Sequence, residues 1–107
     1  MKLIVAIVNN DDCHAVLSEL SKNKFSATKL STSGGFLRAG NATLLIGAAD
    51  ESVPEIIEII KNFSSKRTQM VETGPSFAGE TFMSMPIEVT VGGATVFVLN
   101  VDEFHKL

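Results

Sequence analysis

Few residues in this 107-residue chain carry reactive chemistry, and they are scattered. Cys13 and His14 are neighbours in a stretch with helical spacing. Adjacent helical side chains point about 100° apart, so the pair does not readily share a metal ion, and no third ligand is evident. His105 stands alone near the end of the chain. A lone cysteine excludes an internal disulfide, a CxxC redox pair and a zinc site built from several thiolates. Asp11-Asp12 and Asp50-Glu51 fall where helices should start, where carboxylates favour the positive end of the helix dipole. Glu55 and Glu58 belong to the second helix, Glu58 on its polar face. HExxH, GxSxG and Walker patterns are all missing. No catalytic residue and no metal ligand can be named, and an enzyme is not expected.

One segment has a different character. Thr32-Ser33-Gly34-Gly35-Phe36-Leu37-Arg38-Ala39-Gly40-Asn41 combines free backbone, hydroxyls, one guanidinium, one amide and an adjacent Phe-Leu pair. Glycines let backbone N–H groups approach an anion, and Arg38 adds positive charge. Phe36 offers a flat face of the kind on which nucleobases stack. The glycines precede a strand rather than a helix, so this is not a dinucleotide-binding Rossmann turn. The competing reading is a hairpin loop whose Phe36-Leu37 packs on a neighbouring subunit.

The elements that must position this segment follow from apolar periodicity. Leu3 to Val8 is a continuous β-branched run, suited to a strand buried on both faces. Asn9 to Asp12 supplies a turn and a helix cap, and Cys13, Val16, Leu17 and Leu20 form a helical stripe ending near Asn23. Phe25 to Ser33 and Asn41 to Ala48 read as the second and third strands. Ser52-Val53-Pro54-Glu55 matches a capping box, with Ile56, Ile57, Ile60 and Phe63 as the inward stripe of a second helix. Lys66 to Glu72 reads as a fourth strand and Thr73 to Met85 as a long loop. Pro86 to Val91 and Ala94 to Val101 flank Gly92-Gly93, which suits a tight hairpin turn. The predicted order is β-α-β-β-α-β followed by a C-terminal hairpin. This is a ferredoxin-like α+β fold, with both helices on one face of an antiparallel sheet, in a single domain over residues 1–107. The other sheet face is too apolar to meet water, and oligomerisation is its expected cover.

Composition narrows the function classes. Hydrophobic residues are 45% and charged residues 20%, ordinary globular usage, and the net charge is −3. A non-specific nucleic-acid binder would normally be basic, so nucleic-acid polymers are not expected partners. The N-terminal apolar run is shorter than a secretory core, and no run approaches the ~18–20 residues of a membrane span. A cytoplasmic protein without membrane insertion is the simplest expectation.

The runs Met1 to Val8, Ala27 to Asn41 and Val91 to Leu99, together with Phe104-His105, resemble the PII-like cyclic di-AMP receptors of the PstA/DarA type. The resemblance covers essentially the whole chain, and Thr28-Lys29-Leu30 followed by Gly34-Gly35-Phe36-Leu37-Arg38-Ala39-Gly40-Asn41 is its most specific part. It implies a PII-like homotrimer that binds one cyclic di-AMP in each of three inter-subunit clefts and signals by loop rearrangement to a downstream protein partner. No cofactor is implied beyond this ligand. Carried over residue by residue, Thr28, Gly35, Phe36, Leu37, Asn41, Gly47 and Phe97 match dinucleotide-contacting positions. Lys24, Ser26, Arg38 and Lys106 are further candidates. Three of these depart from the family, which often has Asn, Arg and Gln where this chain has Lys24, Ser26 and Lys106. A serine lacks the planar fork that an arginine offers to phosphate or base. The long loop also lacks the family's tyrosines and is shorter. These departures motivate the alternative of a PII-like scaffold or regulator with weakened or altered nucleotide binding that acts through protein contacts.

Overall fold

The computed structural model describes residues 1–30, 40–65, 67–72 and 86–107. In chain order they form β1 (Lys2–Asn9), α1 (Asn10–Lys22), β2 (Ala27–Leu30), β3 (Asn41–Ala48), a single 3-10 turn at Asp50–Ser52, α2 (Val53–Ser64), β4 (Arg67–Glu72), β5 (Pro86–Val91) and β6 (Ala94–Asn100). Gly34 to Ala39 and the whole expected loop from Thr73 to Met85 lie outside the described residues, as do Ser31 to Ser33 of the expected second strand.

The main sheet is antiparallel throughout, in the order β2-β3-β1-β6. Both helices cover one face. Ile4, Ala6 and Val8 of β1 and Ala42, Leu44, Ile46 and Ala48 of β3 alternate with their neighbours and are buried there. From α1 they meet Cys13, Val16 and Leu20, and from α2 Ile56, Ile59 and Ile60. The helical stripe expected on α1 is therefore present, with Leu17 at its margin.

The start of α1 also follows its expected chemistry. Asn9 is extended, and its side-chain oxygen accepts a hydrogen bond from the Asp11 amide at 2.8 Å. The capping box on α2 does not form. Ser52 already has helical backbone angles because the 3-10 turn leads straight into the helix, so its hydroxyl makes no cap bond. The inward stripe also shifts. Ile56, Ile59 and Ile60 point inward, while Ile57 and Phe63 remain 37% and 40% exposed. The packed face of α2 is rotated from the expected one, with Ile59 and Ser64 buried in place of Ile57 and Phe63.

The principal correction concerns the last strands. The fourth place in the sheet, beside β1, belongs to β6 and not to β4. β4 pairs with β5 in a separate two-stranded sheet, with Arg67 opposite Val91 and Glu72 opposite Pro86. Gly92-Gly93 is thus not the turn of a C-terminal hairpin. It is a corner, with φ of 84° and 87°, that carries the chain from one sheet into the other. The two strands also differ in composition. β6 reads Ala-Thr-Val-Phe-Val-Leu-Asn, fit for a core edge, whereas β4 carries Arg67, Gln69 and Glu72.

The root of the β4–β5 arm is fastened to the body. Arg67 forks onto Asp12, with Nη2 to Oδ1 at 2.8 Å and Nη1 to Oδ2 at 3.3 Å. Arg67 also donates to the Ser65 carbonyl at 3.3 Å, and the Gly93 amide donates to the Ser64 carbonyl. The Asp12 side chain is only 7% exposed against 41% for Arg67, so the carboxylate is the buried member of the pair. A Cβ on Gly92 would lie 2.7 Å from both the Arg67 guanidinium and the Ser65 carbonyl.

Two substitutions test these local readings. Gly92→Ala combines a left-handed backbone with that overlap, and is expected to destabilise the fold by about 1–3 kcal/mol in chemical denaturation. Lys24 adopts φ 65°, a conformation that asparagine tolerates better than other non-glycine residues. Lys24→Asn is expected to raise stability by about 0.5–1 kcal/mol in the same measurement.

Candidate functional site

The sheet face away from the helices carries four of the candidates that the structure describes, Thr28, Asn41, Gly47 and Phe97. On β3 this face consists of Asn41, Thr43, Leu45 and Gly47, and on β1 of Leu3, Val5, Ile7 and Asn9. The pairing lines up Thr28, Leu45, Val5 and Phe97 as one row across all four strands. Gly47, Leu3 and Leu99 form the next row on one side. Leu30, Thr43, Ile7 and Thr95 form the row on the other. Phe97 and Leu99 are 53% and 46% exposed, and Leu3, Val5, Ile7 and Leu45 are half-buried. Thr28, Asn41, Gly47 and Phe97 therefore share one broad, largely apolar face that neither α1 nor α2 covers among the described residues.

They do not converge within it. Asn41 and Gly47 are six residues apart on one strand, or about 20 Å at the usual strand rise. Thr28 and Phe97 lie on opposite edge strands, about 14 Å apart at the usual strand spacing. Two separate hollows mark the ends of β3. One, of about 280 Å³, is lined by Asn41 with Asn9, Ile7, Thr95 and the Gly92-Gly93 corner. The other, of about 710 Å³, is lined by Gly47 with Met1, Ala48, Ala49, Asp50 and Glu51.

The two ends differ in chemistry. The Asn41 end offers neutral amides and a hydroxyl, able to donate and to accept. The Asn9 side chain is already engaged by the Asp11 amide, and the Asn10 amide donates to the Gly40 carbonyl at 2.7 Å. The Gly47 end is acidic. Asp50 pairs with the Met1 amino group at 2.9 Å, and this ammonium holds its carboxyl below the usual aspartate range. Its charge therefore persists to more acidic pH than that of an isolated aspartate. Gly47 itself matters for space: a Cβ there would stand 3.1 Å from the end of the Met1 side chain.

Of the further candidates, Lys24 and Ser26 are exposed just before β2, and Lys106 is exposed in the segment after β6. Gly35, Phe36, Leu37 and Arg38 lie outside the described residues. Cys13 is buried in the core while His14 is exposed, so the two face different environments. Among the described residues no group of three or more His, Cys, Asp or Glu side chains could hold a metal ion. No helix among them is long and apolar enough to cross a membrane.

Sequence reasoning missed Asn9 and Thr95 as companions of Asn41, because the register that aligns the strands is a property of the sheet. It also missed the Asp12–Arg67 pair, which spans 55 residues and has no local signature.

The chain is similar to solved structures over nearly its full length. One is described as a functionally unknown protein from Pediococcus pentosaceus ATCC 25745. It is 42% identical, with a TM-score of 0.78, and the match covers 99% of this chain and 96% of that one. The family model described as cyclic-di-AMP receptor matches residues 1–107. With a match of that extent, the chain belongs to the cyclic di-AMP receptor family.

Proposed function

We propose that the protein is a cytoplasmic, single-domain PII-like receptor that binds cyclic di-AMP in clefts between the subunits of a homotrimer and acts as a signalling protein, not as a catalyst. The observation that carries this reading is the division of the candidate residues on the uncovered face. Asn41 and Gly47 belong to different hollows at opposite ends of β3. A compact dinucleotide that uses both kinds of end is best served by one end from each of two copies. The half-exposed apolar row through Leu45, Val5 and Phe97 gives those copies a reason to associate.

The roles follow from chemistry. Thr28 and Asn41 hydrogen-bond a base edge or a phosphate. The Gly35-Phe36-Leu37 backbone donates to the ligand, and the Phe36 ring stacks on an adenine. Phe97 supplies apolar wall, and Gly47 keeps the floor low. The carboxylates around Gly47 make that end a poor place for a phosphate and a better one for a base. Arg38, Lys24 and Lys106 bring positive charge toward the phosphates, with Ser26 beside them. Rearrangement of the loops on binding then changes the surface shown to a protein partner.

Calorimetric titration of purified protein with cyclic di-AMP, ATP and cyclic di-GMP, beside a mass measurement of the oligomer, tests the reading. A trimer that releases or takes up heat with cyclic di-AMP alone is expected. No heat and no thermal shift at sub-millimolar cyclic di-AMP would sink it. Phe36→Ala is expected to weaken binding about 5- to 150-fold, the range of base–aromatic stacking, with the trimer intact. Unchanged affinity would remove Phe36 from the site.

The departures at Lys24, Ser26 and Lys106 support a second reading, a PII-like scaffold with weakened or altered nucleotide binding. On that reading the double substitution Lys24→Asn with Ser26→Arg creates cyclic di-AMP binding that the parent lacks. Tight binding by the parent rules this alternative out.

A further inference from the structure

We infer that the first turn of α1 is a mechanical coupler joining the entrance of β3 to the root of the β4–β5 arm. Three contacts meet within this turn. The Asn10 amide donates to the Gly40 carbonyl, immediately before β3. Asn9 caps the helix through the Asp11 amide and sits opposite Asn41 in the β1–β3 register. Three residues after Asn9, Asp12 receives the Arg67 fork at the first residue of β4. The hollow beside the turn is lined jointly by Asn9 and Asn41 and by the Gly92-Gly93 corner where the arm ends.

The arm has the features of an element with two positions. Among the described residues β4 and β5 pair only with each other, and an isolated two-stranded sheet is marginal by itself. Its exit is a pair of left-handed glycines, able to pivot without a Cβ penalty. Its closed position is set by the Arg67–Asp12 fork and by the tight seat of Gly92 against Arg67 and Ser65. When the fork opens, Asp12 meets water at a helix N-terminus, where the dipole favours a carboxylate. The open form is therefore accessible rather than prohibitive. A shift at Gly40-Asn41 moves the turn that carries Asp12, and a shift of the arm moves the same turn. Linkage requires the effect to be equal in both directions.

The coupling stands on the geometry of the chain alone. Its use as a nucleotide readout rests on the receptor reading above. Asn10→Pro tests the first tie. It deletes only an amide that has no partner inside the helix, at the position where proline is favoured, and the extended Asn9 (φ −67°, ψ 142°) tolerates a following proline. Arg67→Lys tests the second tie, keeping the charge but losing the fork.

Hydrogen exchange read residue by residue on the full chain should show two things. Asn10→Pro speeds exchange of the Gly93 amide and of the β4 amides about fivefold or more, while Asn10→Ala, which keeps the amide, leaves them unchanged. Arg67→Lys speeds exchange of the Asn10 amide and the first β3 amides by a similar factor. If either substitution alters only the amides beside it, the coupling is refuted. Adding cyclic di-AMP separates the two claims. Heat of binding in both proteins, with slowed β4 exchange in the parent but not in Arg67→Lys, supports coupling as the readout. Equal slowing in both overturns that role. Absence of heat in the parent overturns the receptor reading and leaves the reciprocity between the two variants to decide the coupling.

Discussion

A single buried carboxylate fastens the root of the β4–β5 arm to the body of this chain. Asp12 lies almost out of reach of water on the first turn of α1, and Arg67 satisfies it with two nearly parallel bonds. A pair of this kind is weak evidence for net stability, because desolvation offsets much of the attraction. What it supplies is position. Arg67 is held at the helix start, β4 begins away from the main sheet, and β6 occupies the edge of β1. Gly92 must then turn within van der Waals limits of that guanidinium, which leaves no room for a side chain. The root of the separate arm and the glycine corner therefore meet at one contact.

Much of the body was legible because its signals are local. Leu3 to Val8, the Cys13-Val16-Leu20 stripe and the Asn41 to Ala48 run each state their own period, and the structure places them as β1, α1 and β3. The last strands were not legible in the same way. Lys66 to Glu72 and Ala94 to Val101 both read as strands, and nothing local says which one reaches β1. The contact that fastens the arm joins residues 55 positions apart, beyond any window that periodicity inspects. Gly92-Gly93 misled for a related reason. Two left-handed residues suit a hairpin turn and a corner between sheets equally well, and only the pairing partners distinguish them. On α2 the difference was smaller: the choice between Ile57 and Ile59 as the inward residue depends on the angle at which the helix meets the sheet.

The candidate site was readable in the sequence as a list of residues but not as a shape. Thr28, Asn41, Gly47 and Phe97 come from three strands, and the sequence has no means of placing them on one face. The register does so, and it also spreads them beyond the reach of one compact ligand. That spread links two properties that would otherwise be separate. The apolar middle of the face, around Val5, Leu45 and Phe97, favours association of copies. The polar ends, around Asn41 and Asp50, differ from each other in chemistry. An interface between unlike ends would build a ligand cleft as a consequence of burying the sheet.

Lys24 shows why a departure from a family pattern needs a backbone reading before a functional one. By charge alone, lysine in place of asparagine looks like an adjustment toward phosphate. Its φ of 65° adds a second explanation, since asparagine is among the few non-glycine residues at ease in that conformation. The two accounts separate cleanly. A change of charge at this exposed site acts on an anionic ligand and weakens with added salt. A backbone preference acts on the stability of the turn between α1 and β2 and is largely indifferent to salt. Ser26, two residues later and next to β2, has no such backbone excuse, because its neighbours continue straight into the strand. On the proposed receptor reading, Ser26 is therefore the departure to test for affinity, while Lys24 is the one to test for the stability of its turn.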